Sequence, residues 1–328
     1  MDRHLALLFV ISIWALSKQY NETPEKGYTC LIGTLSGTQR GSGTGNLFFE
    51  LLNFIAIARA HDRIPVLRDP LTKTRLRELQ PIFPNLRGIL PNDNDVYCGK
   101  EKRMVLKSAK CCVYEPDLIL ENNLTRPVSL NVEFYYLQSY KYFINETSLD
   151  IRHILKGSTG IKNMAKTEMV DPRILAKSKF NICIHIRRGD YMLSWRHEPT
   201  RKDFTLAITD HLNKKYANYS PSTIVLGNDP MWAEKTFRGY NVHIAPFSPL
   251  NPPNVDWEFS RLFCDVVALT ASASTYGWWM AFMSRGGNVY YNRKFSQPYG
   301  IELELNPEDF FPADWTSLYL KNGKIYES

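Results

Sequence analysis

The sequence lacks internal repeats, low-complexity segments and any dense block of lysine or arginine. The absence of repeats excludes solenoid and propeller architectures. With no basic block, the net charge of +7 over 328 residues favours an anionic small molecule or an acidic surface, and nucleic acid is the weakest candidate partner. Hydrophobic residues make up 44% of the chain and charged residues 22%. This balance is typical of a globular chain, here long enough for one large or two ordinary domains.

The amino-terminal apolar run is shorter than the roughly 20 residues that a membrane-spanning helix needs. Residues 5–16 are almost free of polar side chains, as in a signal-peptide core or a short signal anchor extended by its flanks. A buried core helix is the alternative. N-glycosylation motifs at Asn21, Asn123 and Asn145, and a less favourable one at Asn218, support entry into the secretory pathway.

The six cysteines also fit an oxidising compartment. Cys98, Cys111 and Cys112 lie in one loop-rich stretch, which favours a disulfide from Cys98 to one of the other two, with Cys30 as a further candidate. The remaining two cysteines lie in apolar segments and are predicted to be inert buried thiols. These two are Cys183 and Cys264.

A glycine-rich turn without a common nucleotide-binding motif lies near the start of the chain. It follows a strand predicted at residues 28–35 and precedes a helix predicted at residues 47–59, but it has neither Gly-Lys-Ser/Thr nor Gly-x-Gly-x-x-Gly spacing. Strand, glycine turn and helix begin a Rossmann-like unit, in which Gly45 and Asn46 would bring backbone N–H groups and a helix N-terminus to an anion. The alternative is a tight turn that serves packing only.

Residues 180–191 are the most informative stretch. Three isoleucines alternate with more polar residues, which predicts a buried strand with the isoleucines on one face and His185 and Arg187 on the other. The apolar run stops at Arg187-Arg188, and open α/β sheets bind ligands at the carboxyl ends of their strands. Two adjacent guanidiniums suit phosphate oxygens, and Asp190 can orient an arginine or accept a hydrogen bond from a ligand.

Two later strand ends carry further candidates. A strand predicted at residues 223–227 is followed by Asp229, which can cap the next helix or bind a guanine edge or a ribose hydroxyl. Ser274 and Thr275 stand where a strand passes into a helix, so hydroxyls and helix N–H groups converge on one anion site.

The region between the two halves is less regular. Residues 131–156 have mixed helical character, and residues 157–179 contain the predicted boundary. Asp93 and Asp95 form an Asp-x-Asp pair that can hold a divalent metal against a nucleotide diphosphate, although the surrounding Pro-Asn-Asp-Asn-Asp favours a turn.

Three segments together resemble a known family. His185-Ile-Arg-Arg-Gly-Asp-Tyr191 resembles the first signature of the α-1,2-fucosyltransferases of glycosyltransferase family 11. Residues 227–232 resemble the second signature and residues 273–279 the third. The turn at residues 43–49 is similar to the family's amino-terminal Gly-x-x-Gly-Asn motif, from which Ser42 and Thr44 depart.

The resemblance implies an α/β, GT-B-like fold in which two Rossmann-like halves face a cleft after an N-terminal signal anchor. The anchor would occupy residues 1–20, the acceptor-side half residues 21–170 and the GDP-fucose-binding half residues 171–328. The implied reaction is inverting transfer of L-fucose from GDP-β-L-fucose to the 2-hydroxyl of a terminal β-galactoside, without metal or cofactor. The implied location is the Golgi membrane, as a single-pass type II protein with N-glycans at the three more favourable motifs.

The resemblance also assigns residues. Arg187 would bind the diphosphate with His185 and Arg188 beside it, and Asp229 would contact the nucleoside. The pyrophosphate contacts would come from Ser274 and Thr275, and Gly45 and Asn46 belong to the donor site. The general base stays open; the candidates are Asp190, Glu198 and Asp203.

Two rival hypotheses remain at this point. The first is a lumenal glycan-binding protein that has lost catalysis. The second is a metal-dependent glycosyltransferase that uses Asp93 and Asp95.

Overall fold

The computed structural model describes residues 28–35, 37, 41–91, 96–103, 110–116, 128–146, 149–177, 179–247 and 254–328. The predicted anchor, the Asn21 and Asn123 motifs, and the pair Asp93 and Asp95 lie outside these residues. Within the described ranges, no helix is both long and apolar enough to cross a membrane.

Strands and helices alternate along the chain. The first part contains β1 (Cys30–Leu35), α1 (Thr44–Ala60), β2 (Ile64–Leu67), α2 (Pro70–Leu79), β3 (Glu101–Arg103), β4 (Ser129–Phe134), α3 (Ile151–Ile154), α4 (Thr159–Thr167) and α5 (Pro172–Lys177). The second part contains β5 (Asn181–Ile186), α6 (Lys202–Lys215), β6 (Ser222–Gly227), α7 (Pro230–Thr236), β7 (Val242–Ile244), α8 (Val255–Phe263), β8 (Val266–Leu269), α9 (Thr275–Phe282), β9 (Asn288–Asn292), α10 (Pro307–Phe310), β10 (Thr316–Lys321) and β11 (Lys324–Glu327).

The strands form two sheets. A four-stranded parallel sheet has the order β2-β1-β4-β3, and a seven-stranded sheet has the order β11-β10-β9-β8-β5-β6-β7. The second sheet is parallel except for β11, which pairs antiparallel with β10. The predicted α/β class with parallel sheets is therefore confirmed.

The two faces of β5 divide as the alternation predicts. Ile182, Ile184 and Ile186 pack in a cluster with apolar residues of α6. Cys183 faces the other side and belongs to the larger core. His185 lies on that same side, and so the strand directs its polar residues towards the region between the two sheets.

One hydrophobic core joins the two sheets through α1 and α9. The Phe49 ring of α1 lies 4.7 Å from the Trp278 ring and 4.8 Å from the Trp279 ring, measured between centroids. Both tryptophans are fully buried. Trp279 Nε1 also donates a hydrogen bond of 2.9 Å to the Gly45 carbonyl oxygen. Because this core is continuous across both sheets, the division near residue 170 stays a prediction.

The disulfides differ in part from the prediction. They join Cys30 to Cys98, Cys111 to Cys112, and Cys183 to Cys264. The favoured bridge from Cys98 to Cys111 or Cys112 was wrong, whereas the further candidate, Cys30, is confirmed as the partner of Cys98. Cys98 pairs with Tyr28, two residues before β1, and this pairing brings it to Cys30. The prediction of two inert thiols was also wrong: Cys264 precedes β8, the sheet neighbour of β5, and its Cα lies 5.7 Å from that of Cys183.

The predicted mixed helical character of residues 131–156 was wrong at its start. This stretch contains most of β4, a central strand that pairs with both β1 and β3. Phe134 is the last residue of β4, and Leu137 and Phe143 follow the strand. Leu137 and Phe143 are buried against the core through tertiary packing, without a regular helical face.

Candidate active site

A cavity of about 810 Å³ lies where the carboxyl ends of β4, β5 and β6 meet the N-termini of α1 and α9. Its wall contains residues of β5 and β6, of α1 and α9, and of the loop that follows β4. Seven of the nine residues predicted to belong to the site line it. These seven are Gly45, Asn46, His185, Arg187, Asp190, Ser274 and Thr275.

Arg187 lines the cavity, and Asp190 holds its guanidinium in place. Its Nε lies 2.9 Å from Asp190 Oδ1, and its Nη2 donates a hydrogen bond of 3.0 Å to Asp190 Oδ2. The guanidinium also lies over the Tyr191 ring, 5.5 Å from the centroid. Thr200 Oγ1 accepts a hydrogen bond of 2.9 Å from the Arg187 backbone N–H. Asp190 therefore occupies the position of a brace for Arg187, with both carboxylate oxygens on the guanidinium.

Arg188 and Asp229 do not line the cavity. They form an ion pair of 3.0 Å between Nε and Oδ2, and the Arg188 guanidinium stacks 4.4 Å from the Trp232 ring centroid. Asp229 Oδ1 accepts the Trp232 N–H at 3.1 Å, which confirms the predicted cap of α7. The pair thus ties the end of β5 to α7. The contacts of Arg188 and Asp229 with the donor remain predictions.

The N-termini of α1 and α9 meet at the cavity. Gly45 is so close to α9 that an added Cβ would lie 2.7 Å from the Thr275 carbonyl carbon and 2.8 Å from the Tyr276 nitrogen. Thr275 Oγ1 donates a hydrogen bond of 2.6 Å to Asn46 Oδ1. Two helix N-termini, each with positive partial charge, therefore face the same cavity as Arg187, and this combination suits a diphosphate.

His185 forms a deeper part of the wall. Its side chain is almost fully buried, and an added Cβ on Gly277 would lie only 2.5 Å from its ring. Burial and the nearby charge of Arg187 lower the pKa of His185 to about 3, so the ring is neutral near pH 7. Its Nδ1 is buried without a hydrogen-bond partner among the described residues. An unpaired buried polar atom costs about 1–3 kcal/mol, and Gly277 of α9 packs directly against this nitrogen.

Asp256 was missed by the sequence reasoning although it lines the cavity. It lies in the first turn of α8, and its Oδ2 accepts a hydrogen bond of 3.3 Å from the Tyr276 hydroxyl. Burial raises the pKa of the Asp256 carboxyl to about 6, and the bond from Tyr276 opposes that rise. An acidic residue in a first helical turn has an ordinary explanation in the helix dipole, so the sequence carried no further signal.

The other two general-base candidates lie elsewhere. Glu198 is buried, with Oε1 2.9 Å from Arg201 Nε and Oε2 accepting a 2.6 Å hydrogen bond from Gln297. Asp203 lies in the first turn of α6, where its carboxylate accepts the N–H of the next residue. Neither residue lines the cavity.

A strained loop forms the opposite wall. Tyr136 and Leu137 have positive φ angles of 62° and 43°, a conformation that needs support from its surroundings. Buried Glu50 of α1 provides it by accepting the Tyr136 N–H at 2.9 Å. Asn53, one helical turn later, donates a 2.9 Å hydrogen bond to the Ser139 carbonyl oxygen. The helix that begins at the cavity thus also shapes its far side.

A metal-ligand cluster is not found in the part of the chain that the structure describes: no three His, Cys, Asp or Glu residues lie close enough together.

Comparison with known proteins places the chain in a family. The sequence pattern of glycosyl transferase family 11 matches residues 118–319. Two Caenorhabditis elegans proteins named galactoside 2-alpha-L-fucosyltransferase are 31% and 29% identical to the chain; each alignment covers 86% of this chain, and 76% and 79% of the respective relative. The structure is similar to that of the NodZ alpha-1,6-fucosyltransferase crystallised with GDP, with a TM-score of 0.49 and 11% identity over 78% of this chain and 93% of that one. Because the family match spans more than half of the sequence, the chain belongs to glycosyl transferase family 11 and is a glycosyltransferase.

Proposed function

We propose that this enzyme transfers L-fucose from GDP-β-L-fucose to the 2-hydroxyl of a terminal β-galactoside, with inversion and without a metal. The names of the two Caenorhabditis elegans relatives support the sugar and the acceptor. The observation that carries the proposal is the convergence of Arg187 with two helix N-termini on one cavity, because these groups suit a nucleoside diphosphate as leaving group.

The reaction breaks the bond between the anomeric carbon of fucose and the β-phosphate oxygen. Negative charge then grows on GDP and positive charge on the sugar, while the galactose oxygen approaches from the opposite face and bonds to the anomeric carbon. Its proton passes to a general base, and of the three candidates Asp190 is the one that lines the cavity. Preorganised donors stabilise such developing charge most effectively when solvent does not have to reorganise. Arg187, fixed by Asp190 and Tyr191, and the N–H groups at the starts of α1 and α9 fill this role.

The nucleoside is proposed to bind at the buried end of the cavity, beside His185 and Asp256. A guanine ring presents two adjacent N–H donors, which a carboxylate accepts in parallel, and a neutral histidine nitrogen offers one further polar contact. Arg187 is more exposed than His185, so the diphosphate would lie nearer the opening and the fucose nearer still.

Replacing Asp256 by asparagine tests this placement. We expect the dissociation constant of GDP-fucose, measured by calorimetry without acceptor, to rise about 10- to 100-fold, because a hydrogen bond to a charged group contributes about 1.5–3 kcal/mol. Asp314→Asn, at an exposed position, is the matched control and should change nothing. Unchanged affinity in Asp256→Asn would remove Asp256 from the nucleoside site.

The same variant has a distinct stability signature. The pKa of Asp256 is raised in the folded protein, so between about pH 4 and 6 the folded state retains a proton that the unfolded chain has lost. The carboxyl's contribution to stability therefore falls as pH rises through this window. Asp256→Asn should melt at a higher temperature than the wild type at pH 7.5 and show a smaller gain at pH 4. A variant that is more stable yet binds the donor less well indicates a binding role for Asp256.

Metal independence has its own test. Every charge stabiliser in the proposal is a protein group, so transfer in excess EDTA should stay within about twofold of its untreated rate. The double variant Asp93→Asn, Asp95→Asn should behave like the wild type. Loss of activity in EDTA that manganese restores would favour the metal-dependent rival.

We further propose a type II topology in the Golgi. The apolar run at residues 5–16 and the N-glycosylation motifs support it, and Asn145 lies exposed on the surface. Protein expressed in animal cells should lose mass on glycosidase treatment and sediment with Golgi membranes, whereas an unglycosylated cytosolic product would contradict this topology.

A further inference from the structure

Large hydrophobic side chains that face solvent are concentrated beside the cavity. In the described part of the chain there are thirteen such side chains, and six of them lie in residues 192–195, at position 247 or in residues 299–303. Trp195 is 70% exposed and Tyr299 is 81% exposed. The other four are Met192, Leu193, Phe247 and Leu303. Exposed apolar side chains that cluster in this way indicate a binding surface.

Two loops carry five of these six side chains, and they are joined into one surface. We call residues 192–197 and 296–304 the rim. The Arg196 carbonyl oxygen accepts hydrogen bonds from the N–H groups of Gln297, at 3.2 Å, and of Ile301, at 3.1 Å. His197 pairs with Ser296 in an antiparallel bridge. Backbone hydrogen bonds between the two loops therefore hold Trp195 and Tyr299 on one surface.

The rim is continuous with the cavity through an ion pair. Arg196 and Glu304 both line the cavity and are joined by a contact of 2.7 Å between Nη2 and Oε1. The Arg196 guanidinium also lies 5.7 Å from the Trp195 ring centroid. Arg196 Nε and Glu304 Oε2 are buried and have no hydrogen-bond partner among the described residues. The two side chains are nevertheless 29% and 30% exposed, so other polar atoms of the pair can contact a molecule in the cavity while the ion pair stays intact.

We propose that the rim is the acceptor subsite for a glycan longer than one sugar; this inference rests on the proposed function. Trp195 and Tyr299 present aromatic faces to the apolar C–H faces of sugar rings, and the Arg196–Glu304 pair binds sugar hydroxyls. The two charges of the pair cancel, so a neutral oligosaccharide is the favoured occupant. Because the ion pair lies in the cavity wall and the aromatic residues outside it, the reacting galactose would lie inside and the next sugars on the rim.

The test compares a short and a long acceptor. Trp195→Ala and Tyr299→Ala would each be assayed for fucosyl transfer to methyl β-galactoside and to a β-galactosyl tetrasaccharide. We expect kcat/KM for the tetrasaccharide to fall about 3- to 10-fold, through KM, by analogy with other aromatic contacts. Transfer to the methyl galactoside and the KM for GDP-fucose should stay within twofold. Tyr97→Ala, which removes another exposed aromatic side chain away from the cavity, is the control.

The outcomes are separable from failure of the proposed function. If the wild type transfers no fucose to either acceptor, the function itself is wrong. If the wild type is active but both rim variants keep wild-type kcat/KM for the tetrasaccharide, the rim is not the acceptor subsite. The same conclusion follows if the variants lose binding to lipid vesicles or to a second protein while acceptor kinetics stay unchanged.

Discussion

Replacement of Arg187 by lysine should lower fucosyl transfer about 100- to 1,000-fold, the usual effect of removing one preorganised electrostatic stabiliser. Lysine keeps the positive charge but loses the planar fork that contacts phosphate oxygens in pairs. It also cannot reproduce the two contacts with Asp190 that hold the guanidinium at the cavity. Arg187→Ala, which removes charge as well as geometry, should be at least as impaired.

Arg188→Lys provides the comparison. Arg188 is tied to Asp229 and Trp232 and does not line the cavity. Arg188→Lys should therefore lower the melting temperature, while the kcat of the folded enzyme should fall much less than it does in Arg187→Lys. Thermal melting of each variant separates a folding defect from a catalytic one. A folded Arg187→Lys enzyme with near wild-type turnover would remove Arg187 from the proposed mechanism.

Gly45→Ala should be the most damaging single-methyl change at the start of α1. Its Cβ would lie 2.7 Å from the Thr275 carbonyl carbon, which is backbone and cannot rotate away. The two helix N-termini must therefore separate. Inserting a methyl group into such a contact costs about 1–3 kcal/mol of stability, and a displacement near 1 Å can lower turnover about 100-fold.

Gly43→Ala is the matched control, two residues earlier in the same turn. Nothing lies within 4 Å of its Cβ position, and its φ of −65° is open to alanine. The melting temperature should stay close to the wild type, because the added methyl group meets no protein atom. If Gly43→Ala and Gly45→Ala lower the melting temperature equally, the contact between Gly45 and α9 is not the cause of the effect.

Local patterns in the sequence predicted the parts of the site that short stretches of chain determine. The alternation in β5 predicted which residues pack against α6 and which face the cavity, since a strand turns successive side chains to opposite faces. The turn at Gly45 and the strand-to-helix passage at Ser274 were each predicted to face an anion. That they line the same cavity follows from the packing of α1 on α9, which no local pattern contains.

Features that depend on long-range contacts were not predictable. Asp256 looked like an ordinary acidic residue at a helix start, and only its burial in the folded protein raises the pKa of its carboxyl. Cys183 and Cys264 are 81 residues apart in sequence, and strand order alone decides that they meet. Arg188 follows Arg187 directly, yet it turns to α7 because Asp229 and Trp232 lie there.

The most direct test of the central claim is the structure of the product formed by the wild-type enzyme. GDP-β-L-fucose and a β-galactosyl oligosaccharide would be incubated with the enzyme, and the product analysed by NMR, with the matching 2-deoxygalactosyl oligosaccharide as control acceptor. We predict an α-linked fucose on galactose O2, release of one GDP per fucose transferred, and no transfer to the 2-deoxy acceptor. A β-linked fucose, attachment at another hydroxyl, or equal transfer to the 2-deoxy acceptor would contradict the proposed reaction.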